Sequence, residues 1–166
     1  LDRLLGLPIV NRIIRKKILG ALGLDRCEFA AGGAAPMPPD LLRWYTKLGL
    51  DLIEGYGMTE NGAISHATLP GKSRPGTVGL PYDGVQSRID PANGEIQMKS
   101  PGVMLGYYKE PALSKDAFTA DGWLHTGDKG SLDAEGNLKI TGRVKDLFKT
   151  SKGKYVAPAP IEVAFE

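Results

Sequence analysis

At 166 residues the chain has the length of one domain. Its 42% apolar and 24% charged residues and its net charge of +2 describe ordinary folded protein, and charge alone gives no case for a nucleic-acid partner. One cysteine, Cys27, excludes an internal disulfide, two scattered histidines argue against zinc, and no apolar run approaches the ~20 residues of a membrane span. The single thiol and a start unlike a signal peptide point to a reducing, cytoplasmic setting.

Residues 9–22 (IVNRIIRKKILGAL) carry Val10, Ile13, Ile14, Ile18 and Leu22 at helical spacing, with Arg12, Arg15, Lys16 and Lys17 mainly on other faces. The expectation is a helix lying on its own core, with a membrane-surface helix as the alternative. CEFAA (27–31) reads as a short buried strand and GGAAPMPP as a loop. Residues 39–48 read as a helix entered through Pro38 and Pro39 and ended by Gly49, and DLIE (51–54) as a second strand. Strand, loop, helix and strand make a β-α-β unit with parallel strands, so GGAAP and GYGMTE would lie at the strands' carboxyl ends, where ligands bind.

After residue 70 the character changes. TVGLP, VQSRI, GEIQMKS, MLGYY, WLHTGD, KGSLD and NLKIT are short runs between Gly, Pro, Asp and Asn, which predicts a small β-rich subdomain with a helix at about 111–118. The 22 glycines and 12 prolines make up about a fifth of the chain, against roughly 12% in average usage. They are spread throughout, which suits short strands and close backbone approaches. The chain opens on Leu1 and stops within PIEVAFE, which reads as a helix just beginning at Pro160. The expectation is a piece of something longer.

Three segments carry chemistry. In EGYGMTENG (54–62), Gly55 and Gly57 make the backbone pliable around Tyr56. Thr59 offers a hydroxyl and Glu60 a hard oxygen that suits Mg²⁺; a tight turn with a surface tyrosine is the plainer reading. In WLHTGD, Asp128 follows Gly127 at what reads as a loop position, where a carboxylate can accept two hydrogen bonds from a diol or simply shape a turn. His125 reads as structural. TGRVKDLFKTSKGK gathers Arg143, Lys145, Lys149, Lys152 and Lys154, which suits phosphates or a solvated basic loop. GGAAP lacks both the P-loop and the GxGxxG pattern.

Taken in order, GYGMTE, GEIQMKSPGVMLGYY, GWLHTGD and GRVKDLFKTSKGKYVAPAPIE resemble the adenylate-forming (AMP-binding) superfamily, from about residue 28 to the end. The closing stretch looks most like bacterial long-chain fatty acid–CoA ligases. The resemblance implies an α/β fold: residues 1–142 as the back half of the large domain (1–70 α/β, 71–142 β-rich), 143–149 as hinge, and 150–166 as the start of a small α+β domain. It implies ATP, Mg²⁺ and CoA, with a fatty acid activated to an acyl-adenylate and passed to CoA. Tyr56 would stack on adenine, with Gly32, Gly33 and Ala34 along the base and Glu54, Gly55 and Gly57 nearby. Thr59 would meet the α-phosphate, Glu60 would help hold Mg²⁺, and Asp128 would clasp the ribose with Arg143. Lys145 falls at the hinge, Lys149 would approach the adenylate, and Gly153 would lie near the pantetheine path. The family's phosphate loop would precede residue 1 and its adenylation lysine would follow residue 166, so residues 1–166 alone are expected to be inactive. An adenylating enzyme that loads a carrier protein, or a non-catalytic nucleotide-binding scaffold, are the alternatives.

Overall fold

The computed structural model describes residues 8–35, 37–63, 65–145, 148–149 and 155–156. Helix α1 (Pro8–Ala21) and helix α2 (Pro39–Lys47) fall where the apolar spacing predicts them. They meet at the end of α2. Arg15 Nε donates to the Leu48 carbonyl at 2.5 Å, satisfying an acceptor that the helix itself leaves open. Gly49 ends α2 with φ 81, a conformation that favours glycine, and the Arg15 guanidinium lies against it where a Cβ would be.

β1 (Ala30–Gly32) and β2 (Leu52–Tyr56) pair in parallel, with Gly32 opposite Glu54, and α2 crosses between them. This is the expected β-α-β unit. The sheet continues antiparallel through β3 (His66–Ala67) and β4 (Leu80–Pro81), in the order β1-β2-β3-β4. A second, wholly antiparallel sheet runs β5 (Gln86–Ile89), β6 (Glu95–Lys99), β7 (Leu124–Leu132) and β8 (Leu138–Arg143). Helix α3 (Pro111–Asp116) leads into β7, and β9 (Phe148–Lys149) pairs with β10 (Tyr155–Val156).

The sheets are stitched where the chain approaches β4. Val78 N–H donates to the Leu138 carbonyl at 2.8 Å, and Leu138 N–H returns to the Gly79 carbonyl at 2.9 Å. Between them lies an apolar cluster of Tyr56, Ile96, Met98 and Leu138, packed by Val78, Ile89 and Ile140. β2 therefore serves both as a sheet strand and as a wall of the second sheet's core.

Four local expectations need correction. The strand predicted over CEFAA starts only at Ala30 and is not buried; Phe29 is 67% exposed. Among the described residues β1 pairs with β2 alone, so it is an edge strand and has only one flank to cover it. MLGYY is not a strand but an irregular loop. Asp128 lies inside β7, opposite Arg143 of β8, beside a bulge between Lys129 and Gly130, rather than in a loop. Finally, α1 is only partly covered. Ile14 and Ile18 are half-buried near Trp44 around an apolar groove of about 390 Å³, while Ile13 and Leu22 stay exposed. No helix among the described residues is long and apolar enough to cross a membrane.

Candidate nucleotide site

The site starts at the carboxyl ends of β1 and β2. A Cβ on Gly33 would stand 3.1 Å from the Gly55 carbonyl oxygen, so the two backbones pass at near contact. Ala34 follows in the left-handed region at φ 67, uncommon for a residue with a side chain. Gly32, Gly33, Ala34 and Gly55 thus form one backbone ledge.

Along β2 the side chains alternate, and Glu54 and Tyr56 take the buried face. Glu54 is 8% exposed, and its Oε2 has no hydrogen-bond partner among the described residues. Burial pushes its carboxyl up to about 7, against a smaller opposing pull from the Gly76 backbone. Tyr56 is also 8% exposed. Its hydroxyl donates to Asp128 Oδ2 at 2.6 Å. Burial first, and then this bond, raise the phenol well above its ordinary value. The plainer reading, a turn with a surface tyrosine, is corrected: Tyr56 is packed among core side chains, because strand alternation turns it toward the second sheet.

Beyond Gly57 the chain turns through a single 3-10 turn, Thr59–Asn61. Asn61, missed in the sequence reading, is buried and holds the turn from within. Its Oδ1 accepts from Met58 N–H at 2.9 Å and its Nδ2 reaches Met98 Sδ at 3.2 Å. A short polar side chain bonding a backbone group three residues earlier is the local signal that would have revealed it. The turn leaves the Thr59 hydroxyl on the exposed side and Glu60 half-buried. Glu60 Oε1 accepts from the Tyr107 hydroxyl at 2.9 Å, and its backbone carbonyl accepts from Met104 N–H at 2.7 Å. The bond to Glu60 raises the Tyr107 phenol.

Asp128 completes the group. Its side chain is 15% exposed, and Arg143 Nε lies 3.4 Å from its Oδ1. The carboxylate therefore receives Tyr56 on one oxygen and faces the Arg143 guanidinium with the other, and has lone pairs left for two further donors. The backbone leading to it is fixed by Glu95. Glu95 Oε1 accepts from Gly127 N–H at 2.9 Å, and its Oε2 lies 2.7 Å from His125 Nδ1. Glu95 and Tyr107, like Asn61, are participants that the sequence reading does not include. Lys145 is exposed just past β8, and Lys149 lies in β9, where only the backbone is described. Gly153 and most of the predicted small-domain start, 150–166, lie outside the described residues.

Tyr56, Asp128 and Arg143, from three separate stretches, are thus in contact, and the Gly32–Ala34 ledge touches the same strand. Comparison with known proteins agrees in class. The family model described as AMP-binding enzyme matches residues 8–108. The chain belongs to the AMP-binding enzyme family. The long-chain-fatty-acid–CoA ligase FadD15 of Mycobacterium bovis is 38% identical over 154 residues, 93% of this chain and 25% of that protein. Human long-chain-fatty-acid–CoA ligase 1 is 37% identical over 163 residues, 92% of this chain and 23% of that protein. Among solved structures, the O-succinylbenzoate coenzyme A synthetase MenE of Bacillus subtilis, in complex with ATP and magnesium ion, superposes with a TM-score of 0.72 at 32% identity. It covers 81% of this chain and 30% of that one. The fold is therefore an α/β piece of the adenylate-forming fold, and the chain spans about a quarter of the length of the curated relatives it matches.

Proposed function

We propose that this chain is the nucleotide-binding back half of the large domain in a longer AMP-forming acyl-CoA synthetase acting on long-chain fatty acids. The Tyr56–Asp128–Arg143 contact carries this reading, because it builds a half-buried, oriented carboxylate with free acceptor capacity on the strand pair next to a backbone ledge. In the first half-reaction a fatty carboxylate oxygen bonds the α-phosphorus of ATP while the bond to pyrophosphate breaks. In the second, the CoA sulfur bonds the acyl carbon, its proton is lost, and AMP departs with the electron pair.

Such chemistry depends on positioning and on balancing charge. Asp128 accepts the ribose hydroxyls and Arg143, 3.4 Å from its Oδ1, holds it in place. Gly32, Gly33, Ala34, Gly55 and Gly57 let the nucleotide lie close to backbone. Tyr56 orients Asp128 and offers the base only what remains exposed of its ring. Thr59 donates to the α-phosphate. By the family resemblance Lys145 would mark the hinge, Lys149 would serve the adenylate and Gly153 the thiol's path. The residues present fit Mg²⁺ in one specific way. No group of three or more His, Cys, Asp or Glu is gathered among the described residues, while Glu60 has one oxygen engaged by Tyr107 and another available. A single carboxylate is what Mg²⁺ uses when phosphates and water supply the other ligands. Bound there, it would offset charge on the phosphates.

Asp128→Ala in the full-length protein tests the reading. Loss of two hydrogen bonds from ribose should weaken ATP binding by about 1–3 kcal/mol, measured by titration calorimetry. Unchanged affinity would remove Asp128 from the site.

A further inference from the structure

The irregular MLGYY loop (104–108) sits against the turn that carries Glu60. We propose that Tyr107 is a positioning residue for Glu60, holding its carboxylate in the orientation that receives the divalent cation; this rests on the Glu60 role proposed above. The hydroxyl donates to Oε1 at 2.9 Å, so a flexible glutamate side chain is held by a rigid ring. The loop grips the backbone of the same residue through Met104 N–H, at 2.7 Å from the Glu60 carbonyl. Two contacts on one residue from one loop fix both ends of Glu60.

Tyr107 is itself held. Its N–H donates to Ser114 Oγ at 2.8 Å, and that hydroxyl donates to the Glu110 carbonyl at 2.7 Å. Gly106 has φ 150, and a Cβ there would stand 2.8 Å from Ser114 Oγ, so the loop closes on α3 only because this residue is glycine. The order of support runs from α3 through Ser114 to Tyr107 to Glu60. Ligating carboxylates are commonly oriented by such outer partners, and loss of one costs about tenfold or more in metal affinity.

The test is Tyr107→Phe in the full-length protein, with ATP binding titrated by calorimetry at varied Mg²⁺ and again in chelator. The Mg²⁺ needed for half of its effect should rise about tenfold, while metal-free ATP affinity stays put. Tyr108→Phe, altering the 86% exposed neighbour, should change neither. Equal weakening with and without Mg²⁺, or no change at all, would overturn the proposal. If ATP binding by the unaltered protein ignores Mg²⁺ altogether, the metal role of Glu60 falls first and this inference with it.

Discussion

Glu54 and Tyr56 sit two residues apart on the same face of β2, yet burial acts on them differently. Tyr56 has a partner for its hydroxyl, and the pair it makes with Asp128 is the organising contact of the site. Glu54 has a buried oxygen with none among the described residues. Its folded carboxyl titrates near 7 against an ordinary 4.5. Between those values the native state keeps a proton that the unfolded chain releases, so stability falls as pH rises from about 4.5 to about 7 and is level above. Glu54→Gln imitates the neutral carboxyl. It should abolish that slope and stabilise the protein above pH 7 by at most about 3 kcal/mol, read from urea unfolding across pH. An unchanged slope would show that Glu54 is not the group responsible.

At the scale of elements, the stitch between the sheets matters most. Gly79 has φ 76, and a Cβ there would stand 2.0 Å from the Ala67 carbonyl oxygen, backbone against backbone. Gly79→Ala should therefore cost well over ~2 kcal/mol in urea unfolding, because neither strand can give way. Gly94→Ala, at a similar φ of 77 but with nothing within 4 Å, should cost only about 1 kcal/mol. Equal losses would mean that backbone crowding is not what specifies Gly79. The same scale explains what could be read in advance. α1, α2 and α3 were legible because spacing and Pro or Gly punctuation are local signals. β2 was legible only as far as Glu54; that it runs through Tyr56 depends on pairing with Ala67 and His66. Asp128 looked like a loop residue because Thr-Gly-Asp suits a turn. Its place in β7 is decided by Arg143 on the neighbouring strand. Tyr107 was invisible because its partner lies 47 residues away, and the Tyr56–Asp128 bond spans 72. Residue types could suggest Tyr56, Glu60 and Asp128 singly; only the packing of β2 against the second sheet joins Tyr56 to Asp128.

Taken whole, the chain sets a backbone ledge and a braced glutamate around β2, whose Tyr56 holds the oriented carboxylate of Asp128 on the second sheet. β8 then leaves the second sheet at Arg143, within reach of Asp128, and passes directly to Lys145. A hinge placed there would move whatever follows it, the proposed Lys149 and Gly153 included, relative to Tyr56, Asp128 and Glu60, which lie upstream. This arrangement suits an enzyme that keeps its nucleotide fixed while exchanging what faces it. The chain is about a quarter as long as its relatives, so the proposed activity belongs to the longer protein. The most direct measurement is ATP–pyrophosphate exchange by the full-length protein, with fatty acids of graded length, with Mg²⁺ present. The account predicts exchange that requires both the acid and Mg²⁺ and is strongest with long chains. Absence of acid-dependent exchange with every acid tried would contradict it.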